Sequence, residues 1–174
     1  MQKLIDISRI LLNEVRFFTL ATALPDGLTW AATLNHVVCY NPLRLIWYSM
    51  KQAVHSEHIR RRAAVAGSIF FDNRPELSFL GLDGAQFTGE AREIPYQECQ
   101  AVHHYYYEHN FTDPAIREKW LIDVDEFHNA GPRRFYELTI NAWWLLDLDG
   151  WAINKEDRRI AVPLNALSLA DDKQ

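Results

Sequence analysis

Between Trp47 and Gly67 the chain reads WYSMKQAVHSEHIRRRAAVAG, which sets Lys51, His55, His58, Arg60, Arg61 and Arg62 against Glu57 alone. In a chain with a formal net charge of -5 at pH 7, a local excess of cations asks for an anion. Lys51, His55, His58 and Arg62 are spaced four, three and four residues apart, which places them on one side of a helix. Strand-forming residues end near Ser49, and good helix formers run from about Gln52 to Arg62, so a strand, a tight turn and a helix are expected in succession. The free amides and positive dipole end of that helix would then coincide with the Ser49 hydroxyl, Lys51 and His55, which suits a phosphate. Arg62, roughly 16 Å along the helix axis, is too distant to share it. The competing reading is a solvated basic face; the position beside a strand end favours the phosphate.

Other reactive side chains give weaker patterns. His103, His104 and His109 in HHYYYEH lack the i, i+4 spacing of a helical zinc motif, so no metal site is expected there and aromatic packing is. Cys39 and Cys99 sit in no local nucleophile motif and carry no expected role. Trp143, Trp144 and Trp151 read as packing residues, and His36, sharing a strand face with Trp30 and Leu34, reads as a hydrogen-bonded core histidine. Three arginines in IRRR, without aromatic interleaving or an overall basic charge, do not signal nucleic-acid binding.

The elements that position these groups can be read from periodicity. Leu4, Ile7, Leu11 and Leu12 give an N-terminal helix one apolar stripe, so it should lie as a lid. Three antiparallel strands follow, separated by Pro25-Asp26-Gly27 and Asn41-Pro42. The third, Leu43 to Met50, is apolar on both faces, so one face is expected in a barrel interior and the other in a subunit interface. Further strands come from AAVAGSIFF and LSFLGLDGAQFTGEAREI, with Asp83-Gly84 and Gly89 marking a turn or bulge. A helical excursion over about 95–122 is capped by Pro95 and then by Asp113-Pro114. From Phe135 alternation returns, with Tyr136, Leu138, Ile140, Ala142, Trp144 and Leu146 on one face and a last strand near Arg159 to Val162.

These add up to a mainly β, α+β fold in one domain, residues 1–174: a closed antiparallel β-barrel with helical additions. With 174 residues, 48% apolar, the chain can bury a core without disulfide or metal support, and only the tail 169–174 is expected to be disordered. No apolar run approaches the roughly 20 residues that span a bilayer. Two cysteines and no charged leader ahead of an apolar run make a cytoplasmic location the expectation.

The succession FFTLATALPDG, TWAATLNHV, LRLIWYSM, HSEHIRRRAAVAGSIF and GAQFTGEAREI resembles the pyridoxamine 5'-phosphate oxidase-like, FMN-binding split-barrel family, from about Ile5 to Ile94 and more weakly over FYELTINAWWLLDLDGWAI. The resemblance implies an antiparallel split β-barrel of six or seven strands with peripheral helices, a homodimer with FMN at the subunit interface, and a flavin that performs the redox chemistry on a small molecule the sequence does not name. It places the ribityl phosphate at Tyr48, Ser49, Val54 and His55; Met50 at the same strand end joins the expected site, and Lys51 and His58 are expected to compensate for the missing basic residues. It lays the flavin ring along Thr33 and Asn35, and brings Gln86 to the flavin from the partner subunit. Oxidase-type members carry an Arg-Lys pair where Val54 and His55 stand and further basic residues where Ala32 and Val37 stand. The alternative expectation is therefore a non-catalytic carrier of FMN or haem, or a barrel that only dimerises.

Overall fold

The computed structural model describes residues 1–71 and 83–167. Chain order runs α1 (Gln2–Glu14), β1 (Phe17–Ala23), β2 (Thr29–Asn35), β3 (Val37–Cys39), β4 (Arg44–Met50), α2 (Val54–Arg61), β5 (Ala64–Phe71) and β6 (Asp83–Glu93). It continues through α3 (Tyr96–Asn110), α4 (Pro114–Trp120), a 3-10 turn (Val124–Phe127), β7 (Arg133–Leu146), α5 (Leu148–Asn154), β8 (Arg159–Ala161) and α6 (Leu164–Leu167). The first residues of the LSFLGLDG stretch and the tail 169–174 lie outside the described residues.

One antiparallel sheet of eight strands runs in the order β2-β1-β5-β6-β7-β4-β3, with β8 added to β7. Its two ends, β2 and β3, are parts of one extended segment interrupted only by His36, whose amide donates to the Arg16 carbonyl at 3.2 Å. A path that begins and ends on the same segment must curl, and the curl encloses the core. The expected split barrel is what the chain forms, with β8 where the last strand was expected and β3 as the short strand that alternation left indistinct.

The turn between β1 and β2 uses its residues as their chemistry predicts: the Asp26 carboxylate accepts from the Leu28 amide at 3.1 Å, and Gly27 takes φ +93°. The α1 stripe is also as expected, with Ile7, Leu11 and Leu12 buried against Phe18, Leu20, Leu45, Trp47 and Leu138. Asp83 and Gly84, anticipated as a turn, instead pair in register with Phe71 and Phe70 as the start of β6. Gly89 does mark a bulge: Gly89 pairs with Ile140 and Thr88 with Ala142, so Asn141 is the extra residue of β7. A Cβ on Gly89 would run into the Thr139 carbonyl, which is why glycine stands there.

That bulge corrects the alternation of β7. Phe135 to Leu138 and Ile140 are buried, but beyond Asn141 the phase shifts, and Trp143 and Leu145 turn inward in place of Trp144 and Leu146. Trp143 stacks on Phe87 with ring centroids 5.4 Å apart, and its Nε1 donates to Ser8 Oγ on α1 at 3.0 Å. The lid helix is thereby pinned by a hydrogen bond as well as by apolar burial.

The second face of β4 is covered from within the chain, where the sequence suggests a subunit interface. Ile46 packs in a second core with Cys99, Tyr106 and Tyr107 of α3, and with Phe127 and Phe135. Under the same cover Glu137 is 4% exposed, held by Arg44 Nη1 at 2.6 Å and Arg92 Nε at 2.7 Å, so the buried carboxylate is paired on both oxygens. The helical excursion exists because β4 and β7 are apolar on their outer face here. No helix among the described residues is long and apolar enough to cross a membrane.

Candidate functional site

At the end of β4 the backbone turns through Lys51 to Ala53, closed by the Ala53 amide on the Met50 carbonyl at 3.0 Å and the Lys51 amide on the Pro132 carbonyl at 2.9 Å. Helix α2 starts at Val54 with Ala53 as N-cap, and no side chain caps its first turn. Its buried face carries three polar residues, each tied to the sheet. His55 Nε2 and Ser49 Oγ are 2.7 Å apart, His58 Nδ1 and Thr22 Oγ1 are 3.0 Å apart, and Ser56 Oγ donates to the Met50 carbonyl at 2.9 Å.

The single basic stripe expected over Lys51, His55, His58 and Arg62 does not form. Lys51 lies in the turn ahead of the helix and Arg62 is extended just beyond it, because α2 covers only Val54–Arg61. His55 and His58 face inward, while Arg60, Arg61 and Arg62 are exposed; Arg60 donates to the Lys51 carbonyl at 2.8 Å and pairs with Glu93. Burial, and then the neighbouring His58, hold the His55 imidazole below the ordinary histidine range. At neutral pH the fixed cations at the turn before α2 are thus Lys51 and Arg60, whose guanidinium reaches the Lys51 carbonyl, joined by the dipole end and a neutral Ser49-His55 pair.

Thr33, Asn35 and Tyr48 are brought together on the wall of a cavity of about 510 Å³. The opposite wall comes from Tyr106 and Phe111 at the end of α3 and from Ile116 and Trp120 of α4, with Arg16 and Phe17 at one end. The Asn35 amide is largely committed to structure: Oδ1 accepts from the Tyr106 hydroxyl at 2.8 Å and from Asn110 Nδ2, and Nδ2 donates to the Arg16 carbonyl at 3.1 Å. It joins β2, α3 and the entry to β1, and keeps one N-H to spare. Tyr48 meets Tyr106 and Phe127 edge-on, each at 5.3 Å, which fixes its ring at the cavity's base.

Tyr48 and Met50 point to the same face of β4 two residues apart, about 7 Å, and the turn at Lys51 follows directly. Gln86 is not in this group. It is exposed on β6, where Oε1 accepts from Arg159 Nε at 2.5 Å, and it lines a different cavity of about 380 Å³ with Ser68, Phe70 and Asp83. Strands β1 and β5 separate β6 from β2, a distance of about 14 Å across the sheet. Trp151 lies on α5 with Lys155 Nζ over its ring at 4.3 Å, lining neither cavity.

A phosphorylated planar cofactor fits these residues in outline. A polar rim at Thr33 and an aromatic base at Tyr48 suit a ring, and an uncapped helix start with Lys51 suits a phosphate. The helical wall of the cavity was not legible in the sequence. Phe111, Ile116 and Trp120 carry no strong period, and only the Asp113-Pro114 cap between Phe111 and Ile116 hinted at a helix turning back over the sheet.

No family model matches the sequence. Among solved structures, a haem-binding protein from Mycobacterium smegmatis superposes with a TM-score of 0.66 at 13% identity, covering 94% of this chain, which spans 59% of that protein's length. An FAD-binding protein from Mesorhizobium loti superposes with a TM-score of 0.56 at 16% identity over 76% of this chain and 86% of its own. A candidate pyridoxamine 5'-phosphate oxidase from Listeria innocua gives a TM-score of 0.58 at 15% identity over 83% of this chain and 98% of its own. At such identities the likeness establishes the split-barrel fold. In sequence, the UPF0306 protein PM1958 of Pasteurella multocida is 30% identical over 111 residues, which are 62% of this chain and 70% of that protein. Identity at that level across more than two thirds of the relative makes this chain a member of the UPF0306 family.

Proposed function

We propose that the chain is an FMN-binding flavoprotein, acting as an oxidoreductase from a homodimer with the cofactor at the subunit interface. The observation that carries this is a cavity lined by Thr33 and Tyr48, with the uncapped start of α2 following Tyr48 along the chain through Lys51, in a fold shared with proteins described as FAD-binding, haem-binding and oxidase-like. Bound flavin supplies two-electron chemistry, so the chain needs no catalytic dyad of its own. What the residues contribute is position. Lys51 and the α2 amides hold the phosphate, Ser49 and His55 shape its seat, and Tyr48 and Thr33 flank the ring.

The homodimer reading rests on the outer face of the sheet. Cross-strand register sets Ala21, Ala31, Thr33, Ala66 and Gln86 on one exposed surface of small and polar residues, with Phe17, Phe70, Glu90 and Arg159 at its margins. A second copy against this surface would bring its own Gln86 toward the first copy's Thr33, which a single chain does not do.

The reading is tested by the absorption spectrum of the purified chain before and after FMN is added and the excess removed, followed by titration of the Ser49→Ala, Lys51→Ala double variant. A retained flavin band and a loss of roughly ten- to hundredfold in FMN affinity in the double variant are expected, the effect of removing one charged and one neutral hydrogen bond. Unchanged affinity in the double variant sinks the phosphate site. Bleaching by a nicotinamide donor with recovery in air supports the oxidoreductase. A flavin that is held but never turned over supports the second reading, a carrier, which the neutral His55 and the exposed Val54 favour.

A further inference from the structure

The cavity has a second wall that the cofactor reading does not use, and it is built for a different ligand. Helix α4 buries none of its residues, yet it turns Ile116 and Trp120 toward the cavity. Trp120 stacks nearly parallel on Phe111 at 6.5 Å, and Phe111 continues the stack onto Tyr107 at 5.8 Å. Phe17 and Trp120 remain 54% and 59% exposed, a solvation cost that packing against a planar partner would remove.

At the end of this aromatic wall lies Arg16. Its guanidinium carbon is 5.8 Å from the Phe111 ring centroid, and Nη2 donates to Asn110 Oδ1 at 3.2 Å, which orients the fork. It has no salt bridge among the described residues, whereas Arg44, Arg92, Arg133, Arg134, Arg158 and Arg159 each pair with a carboxylate. A planar, oriented guanidinium without a carboxylate partner among the described residues, set beside stacked aromatic faces, matches a carboxylate on a flat conjugated body.

We infer that the helical wall of this cavity binds a planar aromatic carboxylate, stacked on Trp120 and paired with Arg16. The inference rests on the cofactor reading only in naming that ligand the substrate; its charge selectivity belongs to the side chains themselves. Asn35 donates to the Arg16 carbonyl, not to its side chain, and accepts from the Tyr106 hydroxyl, so a change of the Arg16 side chain leaves those two bonds of the β2-α3 tie in place.

The test uses 2-naphthoate and its neutral counterpart 2-naphthalenemethanol, titrated into the full chain by calorimetry with and without saturating FMN. The wild type should prefer naphthoate about tenfold or more. Arg16→Met should abolish the preference, Arg16→Lys should restore part of it, and Trp120→Ala should weaken both ligands alike. Equal binding of the two probes to the wild type, no binding of either, or a preference that survives Arg16→Met overturns the inference. Naphthoate should still bind when FMN is saturating, and competition between them overturns the substrate assignment. A chain that prefers naphthoate but takes up no FMN sinks the cofactor reading and leaves the carboxylate site standing, so the two failures are told apart.

Discussion

His36 is the single residue between β2 and β3, where the two ends of the sheet path meet. It is 5% exposed and edge-on to Phe18 at 5.2 Å, but its Nδ1 has no hydrogen-bond partner among the described residues, unlike the satisfied core histidine the sequence suggests. Burial pushes its pKa from 6.5 to about 4, against a weaker opposing pull from the Arg16 carbonyl. A depressed pKa means that the unfolded chain takes up the proton first as pH falls. Stability is then full above the unfolded value of 6.5 and is lost progressively down to about 4. The shift corresponds to on the order of 3 kcal/mol. Urea denaturation at pH 7 and pH 4.5 should show a smaller acid loss in His36→Leu than in the wild type, by roughly 2 kcal/mol. An equal loss in both would show that His36 does not titrate as its burial implies. The histidine was recognisable as a core residue from its neighbours in sequence; its missing partner was not, because a hydrogen bond depends on what the rest of the chain brings to the ring.

At the scale of elements, the bulge at Asn141 decides which tryptophan carries load. Strict alternation puts Trp144 with Tyr136 and Leu138, but one extra residue reverses the remaining strand and buries Trp143. Trp143→Ala should therefore cost about 3–5 kcal/mol, the usual range for emptying a large aromatic site. Trp144→Ala, at a half-buried position on the outer face, should cost about 1 kcal/mol or less. Thermal and urea unfolding of the two variants check this, and comparable losses would refute the bulged register. Gly89 was a legible sign that the ladder might break, since glycine inside a strand weakens it unless close backbone approach requires it. What could not be read was which partner strand would take the extra residue. Helix α2 shows the same limit: its existence was plain from composition, but its first residue depends on the turn that the Pro132 carbonyl closes.

For the whole molecule, the question is what meets the outer face of small residues on β1, β2 and β5. Sedimentation should find a dimer at micromolar concentration, and Ala66→Arg, exposed at the centre of that face, should give a monomer with unchanged circular dichroism. A monomeric wild type would remove the homodimer and with it any role for Gln86 at the flavin. The expectation of a dimer drew partly on β4 being apolar on both faces. That argument falls, because α3 and the 3-10 turn cover the second face from the same chain. The outer faces of β1, β2 and β5 replace it, and they are composed of small residues that no hydropathy pattern singles out.

By itself the sequence determined what depends on neighbours a few residues apart. The α1 stripe, the Pro-Asp-Gly turn, the Asp113 cap and the strand periods that make a split barrel are all of that kind, since capping, turn geometry and amphipathic period act within one or two turns of chain. Only the tertiary structure decided that His55 and His58 turn inward, that Asn35 is spent on α3, and that Arg16 and Trp120 face one cavity 104 residues apart in sequence. Those outcomes follow from long-range packing, in which a side chain's partner is set by the curl of the sheet and not by its own position in the chain.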